Sequence, residues 1–149
     1  GIDSSEEAIA VARRNAAING YGDRARFEVA NAFDALRELE RGGERFDCVI
    51  LDPPAFAKGR AHVDAARRGY KEVNLRGLKL LEPGGFLVTC SCSHHMSPGD
   101  FFDVVLEAAA DARRHLRIVE IRGQAQDHPV LAGVPETAYL KCLILQAVS

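Results

Sequence analysis

The chain has 149 residues, 47% of them hydrophobic, which suits one domain with a sizeable core. Its 19 Lys and Arg against 21 Asp and Glu give a net charge of −2, which excludes a strongly basic nucleic-acid binder; any RNA affinity has to be local or come from elsewhere. No apolar run could span a bilayer, no basic-then-apolar leader opens the chain, and the four cysteines lack the spacing of a secreted scaffold, so a soluble cytoplasmic protein with reduced thiols and no membrane partner is expected.

Gly1-Ile2-Asp3 reads as the end of a strand that closes on an acid, with the chain entering in mid-fold. Ser4-Ser5-Glu6-Glu7 is a capping box that starts a helix with Ile9, Ala12 and Ala16 on one face, stopped by Asn19-Gly20. Residues 26–30 read as a strand with Phe27 and Val29 on one face, and 33–41 as a short helix with Leu36 and Leu39 inward. Gly42-Gly43 then leads into a strand at 46–51, whose apolar run Cys48-Val49-Ile50-Leu51 has the pattern of a strand covered on both faces. Pro53 and Pro54 forbid further sheet pairing and fix the chain direction, so Asp52 is held at the strand's carboxyl end, where open α/β sheets place their ligands. Asp52 is a site candidate, and Phe56 is an aromatic plate for a flat ligand.

Residues 57–61 are polar and contain glycine, the composition of a flap over that site. A long helix is expected over 63–81 with Tyr70, Val73, Leu78 and Leu81 inward, ended by Pro83-Gly84-Gly85. A strand at 86–90 runs on into Ser91-Cys92-Ser93-His94-His95. Ser97-Pro98-Gly99-Asp100 caps the next helix, whose core stripe is Phe101, Val105 and Ala109. Strands at 116–121 and 139–148 close the chain around an irregular loop holding Gln124, Asp127, His128 and Pro129. Strand and helix alternating at this spacing predict a layered α/β fold with a mostly parallel sheet.

The motif series Asp3, Leu51-Asp52-Pro53-Pro54-Ala55-Phe56, Arg68-Gly69-Tyr70-Lys71, Leu81-Glu82-Pro83-Gly84-Gly85, Thr89-Cys90-Ser91-Cys92-Ser93 and Asp127-His128-Pro129 resembles the class I S-adenosylmethionine-dependent methyltransferases. More narrowly, it is similar to the enzymes that methylate carbon 5 of a cytosine in large-subunit ribosomal RNA. The resemblance runs from residue 1 to nearly the last, and its motif order is more specific than any one motif. It implies a Rossmann-like sheet in the order 3-2-1-4-5-7-6 with the last strand antiparallel. The first strand and its glycine-rich cofactor loop are missing from that pattern, as is an amino-terminal RNA-binding domain.

The resemblance further implies S-adenosylmethionine as cofactor and ribosomal RNA as substrate, with Cys92 as nucleophile and Asp52 as the carboxylate facing the pyrimidine. Asp3, Asn31, Phe33 and Asp52 would hold the cofactor, and Pro53, Pro54 and Phe56 the base. Carbon 5 of cytosine takes a methyl group only after something adds to carbon 6, and a thiolate does this best. Each residue also has a structural reading. Asp3 can serve as a helix-start acid; Asn31 stands where the family often has an acid, though an amide oxygen still accepts a hydrogen bond; Phe33 can pack in the core. Cys90, two positions before Cys92, reads as core.

Other functions fit parts of the same sequence. An Asp-Pro-Pro turn followed by an aromatic residue also serves enzymes that methylate exocyclic amines or guanine N7, which need no cysteine. Cys90, Cys92, His94 and His95 would suit a zinc-binding module, although ligands crowded on one strand end seldom surround a tetrahedral ion. Without the glycine-rich loop the chain alone is expected to be inactive, to bind cofactor weakly and to form a homodimer through exposed strand edges. Arg60, Arg67, Arg68 and Lys71 are candidates for phosphate contacts or for a solvated helix face.

Overall fold

The computed structural model describes residues 1–56 and 62–148, so the expected flap at 57–61 and Arg60 lie outside the described residues. The chain divides into two compact units, residues 1–42 and the remainder from Gly43 onward. The first unit contains β1 (Ile2–Asp3), α1 (Glu6–Ile18), β2 (Glu28–Val29) and α2 (Ala32–Arg41). Its two strands pair in parallel, Ile2 with Glu28 and Asp3 with Val29. In α1 the cap falls one residue later than the Ser4 capping box predicts: the Ser5 hydroxyl accepts from the Ala8 N–H at 3.1 Å. Gly20, at φ +76°, supplies the left-handed turn after the Asn19 cap. The expected stripe is present, with Ile9 buried and Ala12 and Ala16 half-buried. The strand expected at 26–30 is only two residues long, and Val29 is 45% exposed, so Phe27 and Val29 do not share a buried face.

The second unit holds β3 (Phe46–Leu51), α3 (Val63–Lys79), β4 (Leu81–Ser91), α4 (Pro98–Ala112), β5 (Leu116–Arg122) and β6 (Lys141–Ala147). These strands form one sheet in the order β3-β4-β6-β5. β3 and β4 are parallel, and β6 runs antiparallel to both its neighbours. The order matches the 4-5-7-6 part of the expected series, as the β1-β2 pair matches 2-3. The fold is thus Rossmann-like α/β, mostly parallel with the last strand reversed.

Two expectations about this unit need correction. The helix stops at Lys79, with Leu80 as its cap, two residues short of the expected end at Leu81. Pro83-Gly84-Gly85 instead lies inside β4, which begins at Leu81, because glycine at 85 allows close backbone approach: a Cβ there would sit 3.0 Å from the Asp47 carbonyl oxygen. Nor is β3 covered on both faces. It is the edge of the four-stranded sheet, Cys48 is exposed, and Ile50 is 68% exposed while Leu51 is buried.

The core lies where α3 and α4 pack together on the sheet. The Tyr70 and Phe101 rings meet edge to face at 5.4 Å, both fully buried, and each such ring contributes about 3–5 kcal/mol against truncation to alanine. Phe101, Val105 and Ala109 form the predicted buried stripe of α4, capped by Ser97. Arg67 pairs with Asp100 at 3.3 Å and Glu107 at 3.1 Å, and Lys71 with Asp111 at 3.0 Å and Glu107 at 3.5 Å. Arg67 and Lys71 therefore tie α3 to α4, so their helix face is not purely solvated.

Candidate active site

The parallel register of β3 and β4 aligns Leu51 with Thr89, so the next residues, Asp52 and Cys90, leave the pair side by side and Cys92 follows at the tip of β4. Asp52 is exposed and Cys92 half-exposed, whereas Cys90 is buried. Burial pushes the Cys90 thiol up to about 12, helped by a hydrogen bond with Cys142, its partner across β6, and by the negative charges of Cys142, Asp52 and Cys92. Cys90 is therefore a neutral thiol near pH 7.

Three interactions hold the tip that carries Cys92. The Tyr70 hydroxyl and the Ser93 hydroxyl share a 2.8 Å hydrogen bond in the interior, and the Ser93 N–H donates weakly to the Ser91 hydroxyl at 3.4 Å. The Lys141 ammonium donates to the Ser93 carbonyl at 2.6 Å and to the Tyr139 carbonyl at 2.9 Å. Ser91 and Ser93 are both fully buried, which leaves Cys92 as the residue between them with access to solvent. Lys141 is only 9% exposed, and burial lowers its pKa while the Cys92 thiolate raises it.

Phe56 is half-buried and lies on Tyr70, ring centroids 4.7 Å apart and tilted by 49°. It covers Gly69, where a Cβ would come within 3.1 Å of the Phe56 ring, so glycine in Arg68-Gly69-Tyr70 makes room for that ring. Pro53 is half-buried and Pro54 exposed. The His94 ring stands 5.8 Å from that of Tyr139. Among the described residues no three His, Cys, Asp or Glu side chains gather as metal ligands would, and Cys90, Cys92, His94 and His95 do not converge.

In the first unit, Asp3 and Asn31 follow the carboxyl ends of the parallel strands β1 and β2. One Asp3 carboxylate oxygen accepts from the N–H of Ser5, the cap of α1, at 2.7 Å, and the Asn31 side-chain oxygen caps α2 by accepting from the Phe33 N–H at 2.9 Å. Carboxylate and amide oxygens each have further lone pairs, and Phe33, two residues after Asn31, is half-buried. On the late loop, His128 pairs with Asp127 at 3.1 Å, holding the Asp127 carboxyl below its ordinary range; both are exposed. No described helix is long and apolar enough to cross a membrane.

The sequence reading did not single out Lys141, and it treated Tyr70 as core alone. The signal for Lys141 was a cation in the inward-facing alternation of β6, where Leu143, Leu145 and Ala147 occupy the other buried positions. Tyr70 offered only a polar atom on an otherwise apolar helix face.

Residues 1–129 match the family described as "Methyltransferase domain". Ribosomal RNA large subunit methyltransferase I of Tolumonas auensis is 44% identical over 148 residues, covering 99% of this chain and 37% of that protein. The chain thus spans about 37% of the length of this curated relative. Among solved structures, SMU.776 in complex with SAH superposes with a TM-score of 0.82 at 18% identity, covering 98% of this chain and 38% of that one. NSun6 from Pyrococcus horikoshii with SFG gives 0.65 at 18% identity, with 99% and 43% covered. At those identities the structural likeness concerns the fold.

Proposed function

The chain belongs to the methyltransferase domain family, and from that premise we propose that it is the catalytic domain of an enzyme that methylates carbon 5 of a cytosine in large-subunit ribosomal RNA. S-adenosylmethionine, as the bound methyl donor, supplies an electrophilic carbon on its sulfonium and leaves as S-adenosylhomocysteine. The donor set of the first unit fits such a cofactor: the Asp3 carboxylate suits a ribose diol, the Asn31 amide suits an adenine amino group, and the half-buried Phe33 offers an aromatic ring.

Cys92 attacks carbon 6 of the cytosine as a thiolate, forming a carbon–sulfur bond and driving electron density towards carbon 5 and N3. Asp52 faces N3 and stabilises the ring as charge moves onto it. Carbon 5 then takes the methyl group. Loss of its proton to a base regenerates the carbon 5–carbon 6 double bond and expels Cys92 as thiolate, so the enzyme ends as it began.

The observation that carries this reading is the register of β3 and β4, which brings an exposed carboxylate and a half-exposed thiol to adjacent strand tips, with the intervening thiol of Cys90 buried and neutral. RNA containing 5-fluorocytidine tests it, because fluorine at carbon 5 blocks proton loss and traps the adduct. With S-adenosylmethionine present, the intact protein should form a covalent RNA complex that survives denaturation and vanishes in Cys92→Ala. A Cys92→Ala enzyme that still methylates RNA would overturn the reading in favour of an amine acceptor.

A further inference from the structure

The Lys141 side chain has no place in the chemistry above, yet it occupies an unusual position. It continues the buried stripe of β6 formed by Leu143, Leu145 and Ala147, where an ammonium must be compensated. Among the described residues its compensation consists of two carbonyls, those of Ser93 and Tyr139, and no carboxylate. One of these carbonyls belongs to the residue directly after Cys92. β6 pairs Lys141 with Ser91, the residue directly before Cys92, so the cation is anchored on both sides of that thiol.

We propose that Lys141 is a positioning residue for Cys92, its buried ammonium clamping the Ser93 and Tyr139 carbonyls and holding a positive charge one residue from the thiol. The proposal rests on the reading of Cys92 as nucleophile. Burial costs the ammonium hydration, and the two carbonyls it holds are what compensate that cost.

The test measures Cys92 without reference to RNA. Site-resolved mass spectrometry of the intact protein gives the rate at which iodoacetamide alkylates Cys92 at a fixed, near-neutral pH, with the exposed Cys48 as internal reference. Lys141→Met should slow Cys92 roughly tenfold while Cys48 is unchanged, and Lys141→Arg, which keeps the charge, should recover most of the rate. Hydrogen exchange at 91–93 distinguishes lost charge from a merely loosened tip. Equal Cys92 rates in wild type and Lys141→Met, or a loss that Lys141→Arg shares in full while exchange at 91–93 stays as in wild type, would overturn the proposal. Failure of the nucleophile reading is seen separately, as adduct formation by Cys92→Ala.

Discussion

Tyr70→Phe removes one oxygen from the interior and tests whether the site depends on the core beneath it. The ring stays, so its contacts at 4.7 Å to Phe56 and 5.4 Å to Phe101 survive and no cavity opens. What is lost is the 2.8 Å hydrogen bond to the Ser93 hydroxyl. Ser93 has a further interaction and is not left bare, which puts the cost at about 1 kcal/mol, the ordinary net value of such a bond. For a chain of 149 residues that lowers the melting temperature by about 2–4 °C, against about 3–5 kcal/mol for Tyr70→Ala, which also empties the ring's volume. Adduct formation with 5-fluorocytidine RNA should fall further than stability does, by roughly tenfold, because a loosened 91–93 tip misplaces the sulfur and a shift of about 1 Å can cost up to roughly 10²-fold. Melting curves and single-turnover adduct rates on the same two variants are the assay. A Tyr70→Phe protein with an unchanged adduct rate would refute the coupling of core to tip, and a stability loss as large as that of Tyr70→Ala would refute the magnitude.

Gly85→Ala should cost about 1–3 kcal/mol in a urea melt, because its Cβ would press on backbone oxygens of Asp47 and Glu82, both at 3.0 Å, and neither can swing away. Gly133→Ala, at φ +82° in open space, should cost only about 1 kcal/mol, and equal losses at the two sites would contradict the close-approach account of Pro83-Gly84-Gly85. The Cys90 thiol sits at about 12 in the folded chain against 9.0 unfolded, so its contribution is complete below pH 9.0 and is lost as pH rises towards 12. Urea midpoints from about pH 8 to about pH 10.5 should therefore fall more steeply in wild type than in Cys90→Val, and parallel slopes would show that Cys90 ionises as freely folded as unfolded.

The elements that could be read in the sequence were those in which local chemistry and packing agree. Ser97-Pro98-Gly99-Asp100 sets a cap, and Phe101, Val105 and Ala109 repeat at helical spacing, so α4 begins and faces where expected. Disagreement came where tertiary context overrode a local signal. Pro83-Gly84-Gly85 reads as punctuation, yet the absence of side chains lets β4 press against the backbone of residues 46–47, and the strand runs through it. The apolar run at 48–51 reads as doubly covered, whereas Ile50 is 68% exposed at the sheet edge. Periodicity reports which faces a residue type prefers, and it carries no information about which neighbours arrive to cover them.

The site divides in the same way. Asp52 and Cys92 stand out in the sequence because polar residues follow apolar runs there, and β3 and β4 end at Leu51 and Ser91, one residue before each. A strand places two thiols two residues apart on one face, so the expectation that Cys90 is core and Cys92 is not needs the strand to end between them. β4 ends at Ser91, so that rule holds for Cys90 and stops before Cys92. Cys90 stays in the ladder opposite Cys142, where burial keeps its proton, and Cys92 lies just beyond it, between two buried serines and beside a cation contributed by β6. The partners that separate an inert thiol from an exposed one, Tyr70 and Lys141, stand 22 residues before and 49 residues after Cys92 in the chain. Only the paired register of β4 with β6 and the packing of α3 bring them to it.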